Sequence, residues 1–270
     1  MKVLRVLGCM ILGGPFLSCA LYSPSSSQPV SKNCEVPADQ SGTISGKWAI
    51  GPIPVAFQQG AFSADEIRAI TAAMDTWNQF SMKAQGVTMF DYGGSATEPR
   101  LSASLNPKAS NSLCSSGLIQ STSFKGAVVI YKLGTWPSNY ASSAMALTTY
   151  CTIPGTPYNS FFSAVMELNY QSFFAAGTGR YPDLQTITLH EFGHLVGLNH
   201  SCEFDNKSGT PNCSSPSLNP EYFIASMYPR FGFDGSGAGE VKQILRTNDQ
   251  TRTNCIYSPT NTKIAGAPTP

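Results

Sequence analysis

The run His190-Glu191-Phe192-Gly193-His194-Leu195-Val196-Gly197-Leu198-Asn199-His200 constrains this chain more than any other stretch. A helix stacks residues four apart on one face, so His190 and His194 aim their imidazoles the same way. Gly197 tolerates positive φ and lets the backbone turn back sharply, which returns His200 to the same point. Three imidazoles form a donor set for Zn²⁺, and three protein ligands leave its fourth tetrahedral position to water. Glu191 lies beside the first ligand but off the His190/His194 face, which suits a general base better than a ligand. The chain has no other histidine. Whatever the fold, it must bring a helix, a tight turn and a returning segment around one cleft.

HExxHxxGxxH followed by a methionine-bearing turn resembles the signature of the metzincin zinc metalloproteases. Within that clan the chain is most similar to the matrixin (matrix metalloproteinase-like) family, in a bacterial exported form. The third histidine is followed by Ser201, and the later turn reads Ser226-Met227-Tyr228-Pro229. Ile53-Pro54-Val55 precedes a helix with Trp77 near its end. The likeness spans residues 48–257. It implies an α+β fold: a twisted mixed β-sheet with two long helices, and an irregular C-terminal subdomain below the zinc cleft. It also implies that Met227 floors the zinc without bonding it, and that Tyr228 lines the pocket for the side chain just after the cut bond. An edge strand containing Ala144, Met145, Ala146 and Leu147 would hold the substrate backbone by strand addition. The same residues also fit an ordinary core methionine and an internal strand.

Three features depart from the matrixin pattern. Residues 202–225 are longer than the usual link to the Met-turn and carry two cysteines. The cysteine-switch motif for latency is missing, and no histidine remains for a second, structural zinc. Structural calcium is common in matrixins but has no assigned place here; Asp234-Gly235-Ser236-Gly237 suits a calcium loop or a plain turn equally.

The N-terminus reads as an export signal over residues 1–20, with Lys2 and Arg5 ahead of an apolar run from 6 to 17. That run is too short for a permanent span. Cleavage after Ala20 would release a soluble protein, whereas cleavage before Cys19 would leave a lipid-anchored one. Six cysteines lie beyond the signal, an even set that implies disulfides in an exported chain. Cys202 with Cys213 is the most local pair; Cys114 with Cys151 and Cys34 with Cys255 follow, the last clamping the termini. Free or metal-binding thiols are the alternative, which no CxxC spacing favours.

Charge is sparse and balanced, 17 basic residues against 16 acidic, with no Lys/Arg cluster to mark a nucleic-acid partner. The expected partner is a protein or peptide substrate, with membrane contact only through an anchor at Cys19 and a monomeric state. Residues 21–45 read as a Ser/Pro-rich flexible leader, 46–258 as the metalloprotease domain and 259–270 as a tail.

Within the domain, 48–57 suggests an opening strand that Pro52 and Pro54 confine to an irregular or edge position. Ser63-Ala64-Asp65-Glu66 is a capping box ahead of a helix whose Ile67, Ile70, Met74 and Trp77 share one face. Further strands are expected at 87–92, 127–133, 142–150 and 163–170. Helices are expected at 184–195, capped by Asp183 after Pro182, and at 249–257. The function these residues imply is zinc-dependent endopeptidase activity with Glu191 as base. A non-hydrolytic zinc-binding shell and a hydrolase with one narrow target are the alternatives.

Overall fold

The structure, a computed structural model, describes residues 30–48, 52–96, 128–175 and 177–257. The expected signal, Cys19, Cys114 and the tail lie outside these residues. The architecture is α+β, a six-stranded sheet carrying two long helices. The strands are β1 (Gly46–Trp48), β2 (Ile53–Gln58), β3 (Phe90–Ala96), β4 (Val128–Leu133), β5 (Ala146–Ile153) and β6 (Asn159–Asn169). β1, β6, β4, β2 and β3 are parallel and pair successively in that order, β1 and β4 along successive stretches of one edge of β6, while β5 pairs antiparallel with β6.

Ser160 and Phe161 pair with both β1 and β5, so those two strands take opposite edges of β6. Among the described residues β5 has no partner on its outer side. The expected strand at 142–150 therefore begins later and runs further. Ala146 and Leu147 lie in it, whereas Ala144 and Met145 precede it.

The opening stretch corrects another expectation. It is divided into β1 and β2, and β2 is internal, between β3 and β4. Proline is tolerated there because β4 pairing starts only at Val55, leaving Pro54 paired with β3 alone.

Helix α1 (Ala64–Gln85) begins with the expected capping box, Ser63 and Glu66 exchanging both bonds, and ends at left-handed Gly86. Ile70, Ala73, Met74, Trp77 and Phe80 are buried along one stripe, the spacing of a core-facing helix. Ile67 was expected on that stripe but is 37% exposed. Trp77 Nε1 donates to Leu189 O at 3.0 Å, joining α1 to α2 (Leu184–Val196). Beyond α2, among the described residues, the helices are the short α3 (Pro220–Ile224) and α4 (Thr247–Tyr257), and the intervening loops carry isolated bridges such as Glu203–Asn212 and Phe233–Gly239.

Residues 30–45 do not behave as the flexible leader the composition suggests. Cys34 is disulfide-bonded to Cys255 on α4. Asn254 Nδ2 donates to Ser31 O at 2.8 Å and to Asn33 O at 2.9 Å. Gln40 is fully buried, and its Nε2 donates to Ser201 O at 2.7 Å. This polar strap covers α4, whose residues 248–255 are all buried. Buried polar groups need such partners, and the strap supplies several of them.

Candidate metal centre

Asp183 caps α2 by accepting from Thr186 N at 2.8 Å, and Gly197 ends it with φ +115°. No other residue fits at 197, since a Cβ there would collide with Gly46 O. The turn sends the chain back toward the helix, and His190, His194 and His200 come together with ring centroids 4.8, 5.2 and 5.0 Å apart. One nitrogen from each ring lies within 4.8 Å of the others.

The remaining ring nitrogens define which atoms are free. His190 Nδ1 donates to Ser226 O at 2.7 Å and His194 Nδ1 to Leu198 O at 2.8 Å. A carbonyl only accepts, so both rings carry their proton on Nδ1 and keep a lone pair on Nε2. His200 Nδ1 faces Glu203 Oε1 at 3.1 Å. Burial, then the neighbouring imidazoles, hold His190 well below its ordinary pKa. Burial and His200 likewise bring His194 down to about 3. Neutral imidazoles are the form that binds metal, and the donor set fits a divalent transition ion.

Glu191 is 6% exposed and His190 4%. Thr148 Oγ1, on β5, donates to Glu191 Oε2 at 2.6 Å, tying the helix to the edge strand. Burial raises the Glu191 carboxyl to about 7, against the lowering effect of the Thr148 bond. A buried acid poised near neutrality beside a cluster of imidazoles that could hold a metal ion is suited to proton transfer.

Met227 is fully buried and packs its sulfur against Gly193, where any Cβ would collide with Met227 Sδ. The turn holding it is fixed by Asp249, whose carboxylate accepts from the backbone N of Ser226 at 2.8 Å and of Met227 at 3.2 Å. Since Ser226 O is the acceptor for His190, Asp249 indirectly orients the first imidazole. Tyr228 lies on an open cavity of about 680 Å³, also lined by Phe223, Arg230, Phe231, Glu240 and Lys242. Phe231 packs edge-on to His190, with centroids 5.4 Å apart, so the cavity adjoins the histidine cluster.

The cysteines give Cys202–Cys213 and Cys34–Cys255 disulfides. Cys151 is also disulfide-bonded, and Cys114 lies outside the described residues. Asp234 Oδ1 accepts from Ser236 N, Ser236 Oγ and Ala238 N, closing its own exposed turn. No helix of the described residues is long and apolar enough to cross a membrane.

Sequence reasoning placed Thr148 at the end of the edge strand but missed its bond to Glu191, and it missed Glu203 and the anchoring role of Asp249. Thr148 and Asp249 reach the centre only through tertiary contacts. Glu203 had a local signal, standing three residues after His200 inside the cysteine-flanked loop.

No family model matches the chain, and no curated protein matches it. Among solved structures, metalloproteinase-II from Bacteroides fragilis is similar, with a TM-score of 0.34 and 12% identity. The alignment covers 67% of this chain and 55% of that one, so the chain spans little more than half of that protein's length. A superposition this loose carries no argument about activity.

Proposed function

We propose that this chain is a zinc-dependent endopeptidase, matrixin-like within the metzincins, that hydrolyses peptide bonds of proteins outside the cytoplasm. The observation that carries the reading is the convergence of three imidazoles beside a buried glutamate, between an open strand edge and a cavity. His190, His194 and His200 would hold the ion. When bound, zinc acidifies water and polarises a carbonyl.

The protein's own groups supply the rest. Glu191 takes a proton from the attacking water and passes it to the departing amine. Thr148 holds that carboxylate through Oε2, so the second oxygen, Oε1, is the one assigned to proton transfer. The free edge of β5 binds an extended substrate by backbone pairing. The cavity at Tyr228 receives the side chain that follows the cut bond. Met227 supports the histidine helix from beneath, through Gly193.

An export route, with the 1–20 segment removed or Cys19 lipid-modified, belongs to the same proposal and agrees with the disulfides, which persist in oxidising surroundings. The test is incubation of the oxidised protein with denatured casein in H₂¹⁸O. Internal peptides are expected whose new C-termini carry ¹⁸O, and a zinc chelator should abolish them. Intact casein, together with intact quenched peptides of varied sequence, would favour a non-hydrolytic zinc shell instead.

A further inference from the structure

The loop that follows the third histidine is built as part of the centre. Cys202–Cys213 closes residues 202–213 into a ring. Glu203 N donates to Pro211 O and Cys213 N donates to Glu203 O, each at 2.9 Å, so the far limb grips the Glu203 backbone on both sides. The ring also docks on the N-terminal strap, Gly42 N donating to Gly209 O at 2.7 Å.

Two consecutive side chains reach from this frame to the site. Glu203 Oε1 accepts from Lys207 Nζ at 3.1 Å and meets His200 Nδ1 at the same distance. Phe204 lies under the Arg230 guanidinium, 3.6 Å from its ring centroid, and Arg230 lines the cavity. The three histidines are therefore not supported alike. His190 and His194 lean on backbone carbonyls, whereas His200 leans on a full negative charge. A carboxylate behind an imidazole fixes the ring and raises its basicity, and losing such a partner typically weakens metal binding about 10–100-fold.

We infer that Glu203 is a positioning residue for His200, and that the Cys202–Cys213 disulfide holds it in place, so that tight metal binding depends on the closed loop. The inference rests on the reading of the three histidines as metal ligands. Lys207 steadies the carboxylate from the solvent side. Because Glu203 remains 21% exposed, its charge is tolerated without burying an unpaired ion, and glutamine can replace it without leaving a cavity.

The experiment uses the oxidised full chain and three variants: Glu203→Gln, Cys202→Ser/Cys213→Ser, and the triple substitution. Zn²⁺ affinity is read by competition with a chromophoric chelator, and ligand geometry by the visible bands of the Co²⁺ form. Glu203→Gln is expected to weaken Zn²⁺ about 10–100-fold and shift the Co²⁺ bands, with the metal-free melting temperature unchanged. The serine pair is expected to weaken Zn²⁺ comparably, and the triple variant little further, because both routes remove one interaction.

Zn²⁺ affinity within twofold of wild type in Glu203→Gln, with unaltered Co²⁺ bands, overturns the inference and leaves the proposed function standing. Full additivity in the triple variant overturns the part assigned to the disulfide. Should the serine pair not fold, Glu203→Gln alone decides. Failure of the wild-type chain to take up zinc overturns the function proposed above and this inference with it.

Discussion

Glu191→Ala is expected to fold, to hold its metal and to lose peptide hydrolysis by about 10²–10⁴-fold, the usual contribution of a positioned acid–base group. The carboxylate is not among the three converging donors, so its removal leaves the imidazoles and their Nδ1 partners in place. Nor does it anchor the core. Its side chain has one hydrogen-bond partner, Thr148, and its burial works against the charged form. Alanine relieves that penalty while leaving one hydroxyl without its acceptor, so the melting temperature should move by no more than a few degrees. Turnover of a quenched peptide, metal content and a thermal melt on the same sample separate these effects. Turnover within a few-fold of wild type would remove Glu191 from the chemistry.

Asp249→Ala should act in the opposite way, through stability. Asp249 and Arg252 are both fully buried, with Arg252 Nη2 3.8 Å from Asp249 Oδ1. The same carboxylate accepts from the backbone N of Ser226, Met227 and Arg246. Removing it orphans those donors and strands the arginine's charge, whose Nη2 has no hydrogen-bond partner even in the intact protein. Breaking one side of a buried pair costs about 3–5 kcal/mol, or a fall in melting temperature of about 6–20 °C for a domain of this size. Since Ser226 O accepts the hydrogen bond from His190 Nδ1, metal affinity should fall as well. A thermal melt within about 2 °C of wild type would show that the methionine turn is held by other contacts.

The parts of the centre that a reader of the sequence can find are those set by local geometry. His190, His194 and Glu191 follow from helical spacing, His200 from the glycine turn, and the start of α1 from the Ser63/Glu66 capping box. Each depends on residues within a few positions of one another. The residues that escaped are brought in over distance: Thr148 meets Glu191 across 43 positions, and Asp249 meets Met227 across 22.

Composition misled where tertiary contact outweighed it. Two prolines suggested an irregular or edge position; β2 is internal, because only one side of Pro54 needs a partner, and its register against β3 shifts between Val55 and Ala56. A polar N-terminal stretch suggested a leader loose except where Cys34 was expected to clamp it, yet residues 30–45 are also pinned by the amides of a buried polar helix. The strand reading at 142–150 found β5 but not its bounds. Its register comes from pairing with β6, which the alternation of residues alone does not encode.

The most direct measurement is a titration of metal-free protein with Zn²⁺ while peptide cleavage is followed. Turnover is expected to rise in proportion to added zinc and to break at one equivalent per chain, with His200→Ala giving no comparable rise. Full turnover in the metal-free protein, or a response that ignores the loss of His200, would contradict that expectation.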